Sequence, residues 1–279
     1  MCGLFGAVAP GLTSAARSAE ILDGVLQLGV MAEERGRASA GVAVLVRGGK
    51  RVRYTALGPF RLLVEGFAWE PPVVGHAWLG HTRWPTQGPV IRANTSPLLV
   101  GDVLGTHNGD IAQASVPGMV AVPGATDTHA LLAGIAALQP GRGYEQLVTR
   151  LLTRVVGRAA LVWHDRRDGR NRVWLARSGL SPLAVARDED GTVWWASNPQ
   201  WLRLLGLRPQ LMGHGSLLSV TPLARDVELV GHTEWVPTVR LSDLALLSIA
   251  VWRGFTTADE RDDRDGLRYE IDYTNSVEG

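Results

Sequence analysis

Short bursts of apolar residues alternate with polar turns along this chain, interrupted by longer stretches of helical period. The first burst, LFGAVA (4–9), begins almost at the terminus and reads as a strand. From Ser14 to Met31 the apolar positions Ile21, Leu22, Val25, Leu28 and Met31 recur at three- and four-residue steps, which predicts an amphipathic helix packed on a sheet. AGVAVLV (40–46) is continuous enough for a strand buried on both faces, and RVRYTAL (51–57) pairs with it across a GGK turn. PFRLLVEGF predicts a short helix and VVGHAWLGH (73–81) another strand. A loop rich in Pro, Gly, Asn and Thr then runs from Arg83 to Ser96, followed by short strands in PLLV and VLGTH across Gly101-Asp102. Two helices, Thr128 to Gln139 and Tyr144 to Val155, are parted by the breaker QPGRG. Apolar runs at 158–163, 172–176, 182–186, 193–196, 217–220 and 227–230 complete the pattern. Hairpin-joined strands on both sides of a helical pair argue against regular βαβ alternation and for a two-sheet core with helices outside. One domain over 2–235 is expected, with a 236–279 extension made of an apolar segment (241–252) and an acidic, solvent-facing, partly disordered tail.

Composition narrows the class. The chain has 279 residues, 46% hydrophobic and 20% charged, as in an ordinary globular protein. Its ten tryptophans read mainly as core filling. A single cysteine excludes an internal disulfide and any thiol-built metal cluster, and seven scattered histidines suggest no metal site. No signal peptide or membrane-length apolar run is present, so a cytoplasmic protein with no membrane partner is expected. The net charge of +1 divides into −5 over the last 25 residues and +6 elsewhere, too diffuse to imply a nucleic-acid partner.

Five segments resemble neither core nor linker: MCGLFG (1–6), ERGRASAG (34–41), GHTRWPTQG (80–88), GTHNGDI (105–111) and TDTHALL (126–132). The first four mix glycine with hydrogen-bonding side chains at or beside a predicted strand end, and TDTHALL carries its polar residues at a predicted helix start, places where sites tend to sit. The lone Cys2 reads either as a small buried hydrophobe or as a nucleophile. Removal of the initiator methionine would give Cys2 a free α-amine of reference pKa about 7.7, able to act as base for its own thiol. Other residues also admit two readings. Arg83 beside Trp84 could form a surface cation–π pair, Asp127 could be a helix N-cap, and Asn108-Gly109 could be a type I′ turn.

Taken together and in order, these segments resemble the glutaminase domain of the class II glutamine amidotransferases, an N-terminal-nucleophile group. ARSGLSPLAV (176–185) is similar to a later strand region of that family, so the resemblance spans roughly residues 2–235. It implies an α+β fold, a four-layer αββα sandwich of two antiparallel sheets. It also implies hydrolysis of the glutamine side-chain amide through a Cys2 thioester, giving glutamate and ammonia, with no cofactor. Asn108 and the Gly109 N–H would form an oxyanion hole, where one donor is worth about 3–4 kcal/mol. Arg83 would pair with the α-carboxylate of L-glutamine and Asp127 with its α-ammonium. Arg35, Trp84, Thr86 and His107 would support the site, and His81 and His107 read as structural.

The chain departs from the family pattern at several places. Ala38 stands where an aspartate is usual, Pro85 where alanine is commoner, Ser96 in place of histidine and His129 in place of glutamate. None of these positions is assigned to chemistry. The residues after 235 are too few for an ammonia-using domain, which leads us to expect a separate acceptor-binding synthetase or transferase subunit. Two other readings compete: an amidohydrolase of the same fold acting on a small γ-glutamyl or other amide, and a catalytically silent regulatory or scaffold subunit.

Overall fold

A computed structural model of the chain describes residues 1–66, 74–120, 122–232, 235, 237, 238 and 240. Strand β1 (Gly3–Val8) is followed by helix α1 (Ala15–Ala32), which Ser14 caps by accepting from the Arg17 N–H. Then come β2 (Ser39–Val46), β3 (Arg51–Leu57), α2 (Phe60–Glu65) and β4 (Gly75–Arg83). The next elements are β5 (Leu98–Val100), β6 (Val103–Ile111), α3 (Asp127–Ala137) and α4 (Tyr144–Arg154). The chain continues through β7 (Gly157–Asp165), β8 (Val173–Arg177), β9 (Ala184–Arg187), β10 (Val193–Ala196) and α5 (Pro199–Leu204). It then forms β11 (Gln210–Leu211), β12 (Ser216–Pro222) and β13 (Val227–Gly231).

The strands form two antiparallel sheets, ordered β11-β9-β10-β1-β4-β2-β3 and β13-β12-β8-β7-β6-β5. Three apolar layers explain why they stack. Leu4, Val8, Leu79, Ala160, Val162 and Trp195 fill the space between the sheets. Phe5, Ala7, Trp78 and Trp194, the intervening residues of the same strands, face outward and pack with Ile21, Val25, Leu28 and Phe60. On the second sheet, Leu161, Trp163 and Trp174 pack with Leu131, Ile135 and Val148 of α3 and α4. Period-two alternation with both faces buried produces the four layers αββα expected above.

Several local expectations change. Asn108 and Gly109 lie inside β6, paired with Ala160 and Ala159 of β7, so they form no turn. The sequence reading placed no element at α5 or β11. The helix over 128–139 begins at Asp127, and its cap is Thr126, whose hydroxyl accepts from the His129 N–H; Asp127 is the first helical residue rather than the cap. The apolar segment 241–252 and the acidic tail fall outside the described residues. Among the described residues, no helix is long and apolar enough to cross a membrane.

Candidate active site

Cys2 sits at the mouth of β1, where the neighbouring Gly3 packs against Thr82 of β4 and Ala32 of α1. A Cβ on Gly3 would come within 2.7 Å of the Thr82 hydroxyl, so the strand start is pinned between both elements. Four groups fix the cysteine. Its nitrogen lies 3.1 Å from Asn108 Oδ1 and its carbonyl accepts from Arg35 Nε at 2.9 Å. Its sulfur is 3.3 Å from both the N–H and the carbonyl of Trp84. Burial pushes the thiol pKa up, while the Trp84 N–H, the terminal amine and Arg35 pull it down and Asp127 opposes them. The terminal amine, here that of Met1, is lowered to about 6, chiefly by burial and further by Arg35 and Arg158.

Asn108 uses Oδ1 toward Cys2, which turns Nδ2 the other way. That Nδ2 is buried and has no hydrogen-bond partner among the described residues. Gly109 supplies the second donor through strand geometry. Opposite it, Ala159 directs its N–H and carbonyl to Ser178, marking a non-hydrogen-bonded pair in the ladder. The N–H groups of Gly109 and, two residues on, Ile111 therefore point away from β7; that of Ile111 meets Asp127 Oδ2 at 3.2 Å. Glycine is required here because a Cβ would stand 2.1 Å from the Arg158 carbonyl.

Cys2, Arg83, Trp84, Thr86, His107, Gly109 and Asp127 line one cavity, joined by His81, Gln87 and Asn94. Its volume is about 20 Å³, room for a water but not for an amino acid. Arg83 is buried, not a surface cation–π partner. Its Nη1 donates to the Pro89 carbonyl at 2.9 Å, and its Nη2 to those of Gln87 and Gly88 at 2.7 and 2.9 Å. Asp127 Oδ1 accepts from the Thr128 N–H at 2.9 Å. His81 is held neutral, its pKa lowered to about 3 by burial, and its Nε2 meets the His107 carbonyl. Burial likewise lowers the pKa of His107, whose Nδ1 is 3.8 Å from Asp127 Oδ2. Trp84 presents an exposed indole at the rim. Thr86 contributes only to the lining. Among the described residues, no group of three or more His, Cys, Asp or Glu side chains is arranged to hold a metal.

Three site neighbours have no role in the sequence reading: Gln87 and Asp110, which lie inside the segments GHTRWPTQG and GTHNGDI, and Arg240, which lies in none of the five. Gln87 Nε2 donates to Asp110 Oδ1 at 2.6 Å and to the Ile111 carbonyl at 2.8 Å, and Arg240 Nη2 meets Asp110 Oδ2 at 2.8 Å.

The fold, with a cysteine at the head of a central strand, is that of an N-terminal-nucleophile sandwich. The solved structure of the glutamine phosphoribosylpyrophosphate amidotransferase from B. subtilis matches 87% of this chain and 52% of its own, with a TM-score of 0.62 at 16% identity. The allosteric regulatory enzyme of purine biosynthesis matches the same shares with a TM-score of 0.63 at 17% identity. In sequence, the chain is 31% identical over 193 residues to the glutamine–fructose-6-phosphate aminotransferase of Vibrio parahaemolyticus, and 33% identical over 193 residues to that of Aliivibrio fischeri. Each alignment covers 66% of this chain and 30% of the relative, so the chain spans less than a third of the curated relatives it matches. No family model matches. Fold and sequence together relate the chain to the glutaminase regions of the glutamine amidotransferases.

Proposed function

We propose that this chain hydrolyses the side-chain amide of L-glutamine through a thioester on Cys2 and passes the ammonia to a separate acceptor-binding enzyme. The carrying observation is the buried Cys2 thiol in one cavity with Gly109, together with Asn108, which holds the Cys2 nitrogen through Oδ1 and leaves Nδ2 without a partner among the described residues. The curated relatives are named for glutamine, which supports it as the substrate.

With Met1 removed, the Cys2 nitrogen becomes an α-amine already within reach of Asn108 Oδ1. That amine takes the thiol proton, directly or through a water, as the sulfur attacks the amide carbon. Asn108 and Gly109 stabilise the resulting oxyanion. The protonated amine returns its proton to the leaving nitrogen, ammonia departs, and water cleaves the thioester to glutamate with the amine again as base. Arg83 and Asp127 stand beside the cavity to meet the carboxylate and ammonium of the free amino acid, each exchanging present backbone partners for substrate. Exposed Trp84, Val90 and Ile91 on the adjacent loop offer apolar surface to an acceptor enzyme. A cytoplasmic setting belongs to the same reading, since a catalytic thiol persists best where thiols are kept reduced.

One observation favours the amidohydrolase reading: the guanidinium of Arg83 and the carboxylate of Asp127 are both already engaged by backbone. Ammonia release from free L-glutamine and from its N-acylated form separates the two. The glutaminase reading expects turnover of the free amino acid, its loss in Cys2→Ala, and a much lower kcat/KM for the acylated form. Equal kcat/KM for both substrates would favour the amidohydrolase, and full activity in Cys2→Ala would remove the nucleophile.

A further inference from the structure

The loop after β4 is tied down from two directions. From inside, Arg83 grips the carbonyls of residues 87, 88 and 89. From outside, the Gln87 side chain spans Asp110 Oδ1 and the Ile111 carbonyl, while Gln113 Nε2 donates to Gln87 Oε1 at 2.9 Å. Asp110 immediately follows Gly109, and its other oxygen is taken by Arg240, which also donates to the Asp110 carbonyl at 3.1 Å.

Arg240 is brought there by the segment beyond β13. Thr238 bridges Val156 and accepts from the Gly157 N–H at 2.7 Å, at the start of the strand that pairs with β6. Burial alone would raise the Asp110 pKa, yet hydrogen bonds from Gln87 and Arg240 bring it below the ordinary carboxylate value. The carboxylate is therefore held charged between a loop amide and a guanidinium.

We propose that Gln87, Asp110 and Arg240 form a clamp that holds the loop down beside Cys2, so that the segment beyond β13 sets access to the nucleophile. The three are positioning residues. Asp110 ties the loop to the strand that carries Asn108 and Gly109, and Arg240 ties both to the chain that leads into the C-terminal extension. A cavity too small for an amino acid requires this clamp to loosen when a substrate enters, and anything that moves residue 240 moves that equilibrium.

The role in substrate entry rests on the glutaminase reading, but the clamp has its own readout. Cys2 is the only thiol, so iodoacetamide alkylation reports its exposure without any substrate. In the full chain, Gln87→Ala, Asp110→Asn and Arg240→Ala should each raise the alkylation rate about tenfold, the scale of one lost charge-assisted hydrogen bond. Hydrogen exchange over 84–95 should rise in step, with Arg240→Lys falling between Arg240→Ala and wild type. Thermal melts identify any variant that gains rate by unfolding, and Gln87→Ala removes one loop side chain without touching the core. Wild-type alkylation and exchange in the folded variants would overturn the clamp. Glutamine kinetics run in parallel keep the two claims apart. Variants that respond in a protein inert to glutamine would keep the clamp and remove the glutaminase, and the converse result would do the opposite.

Discussion

Burial keeps the Cys2 thiol protonated at rest, so it needs a base nearby. With Met1 removed, the α-amine of Cys2 itself shares a residue with the thiol and is the group best placed to accept the proton. His81 and His107 are too deeply buried to compete and act as spacers between β4 and β6. Asp127 has the more divided role. Both its oxygens hold backbone N–H groups while the carboxylate lines the cavity, and Thr126 caps the helix independently. Asp127→Asn leaves the cap in place but removes the charge and one acceptor. We expect KM for glutamine to rise about tenfold, with stability reduced by about 1 kcal/mol. An unchanged KM would make Asp127 purely structural.

At the scale of elements, the sequence was readable wherever a period ran long enough. Residues Ile21 to Met31 announced α1, and the short apolar run LFGAVA announced β1. Asn108-Gly109 admitted a turn as an alternative reading because glycine serves two purposes that look alike in one dimension. Here it admits the Arg158 carbonyl rather than a left-handed turn. The sequence offered Asp127 as the cap of α3, but Thr126 caps the helix and Asp127 is held by Ile111, sixteen residues away. Helix α5 has only six residues, with an Asn-Pro start that reads as a turn, and β11 has only two. The candidate site was legible in its motif residues, Cys2, Arg83, Asn108, Gly109 and Asp127. Its supports were not: Asp110 finds Gln87 across 23 positions and Arg240 across 130. No local pattern encodes such pairings.

At the scale of the whole molecule, the layered core buries histidines far from the site. His164 has no partner for either ring nitrogen, and His76 none for Nε2, among the described residues. Burial lowers both pKa values from 6.5 to about 4. Their folded pKa values lie below the unfolded ones, so the unfolded chain takes up protons first. Stability should be full above pH 6.5 and fall as the pH drops toward 4. A melting temperature that declines between pH 6.5 and 5, before most carboxylates titrate, is the expected result; a flat profile there would contradict it. The same packing sets the head of β1 against Asn108 and Gly109 of the facing sheet, which is the basis for the claim that Cys2 is the nucleophile. Intact-mass and peptide-mapping spectrometry, after incubation with a diazoketone analogue of glutamine, tests that claim most directly. The expected result is a chain that begins at Cys2 and carries one adduct, on Cys2. Met1 retained on fully active protein, or an adduct elsewhere with Cys2 unmodified, would contradict it.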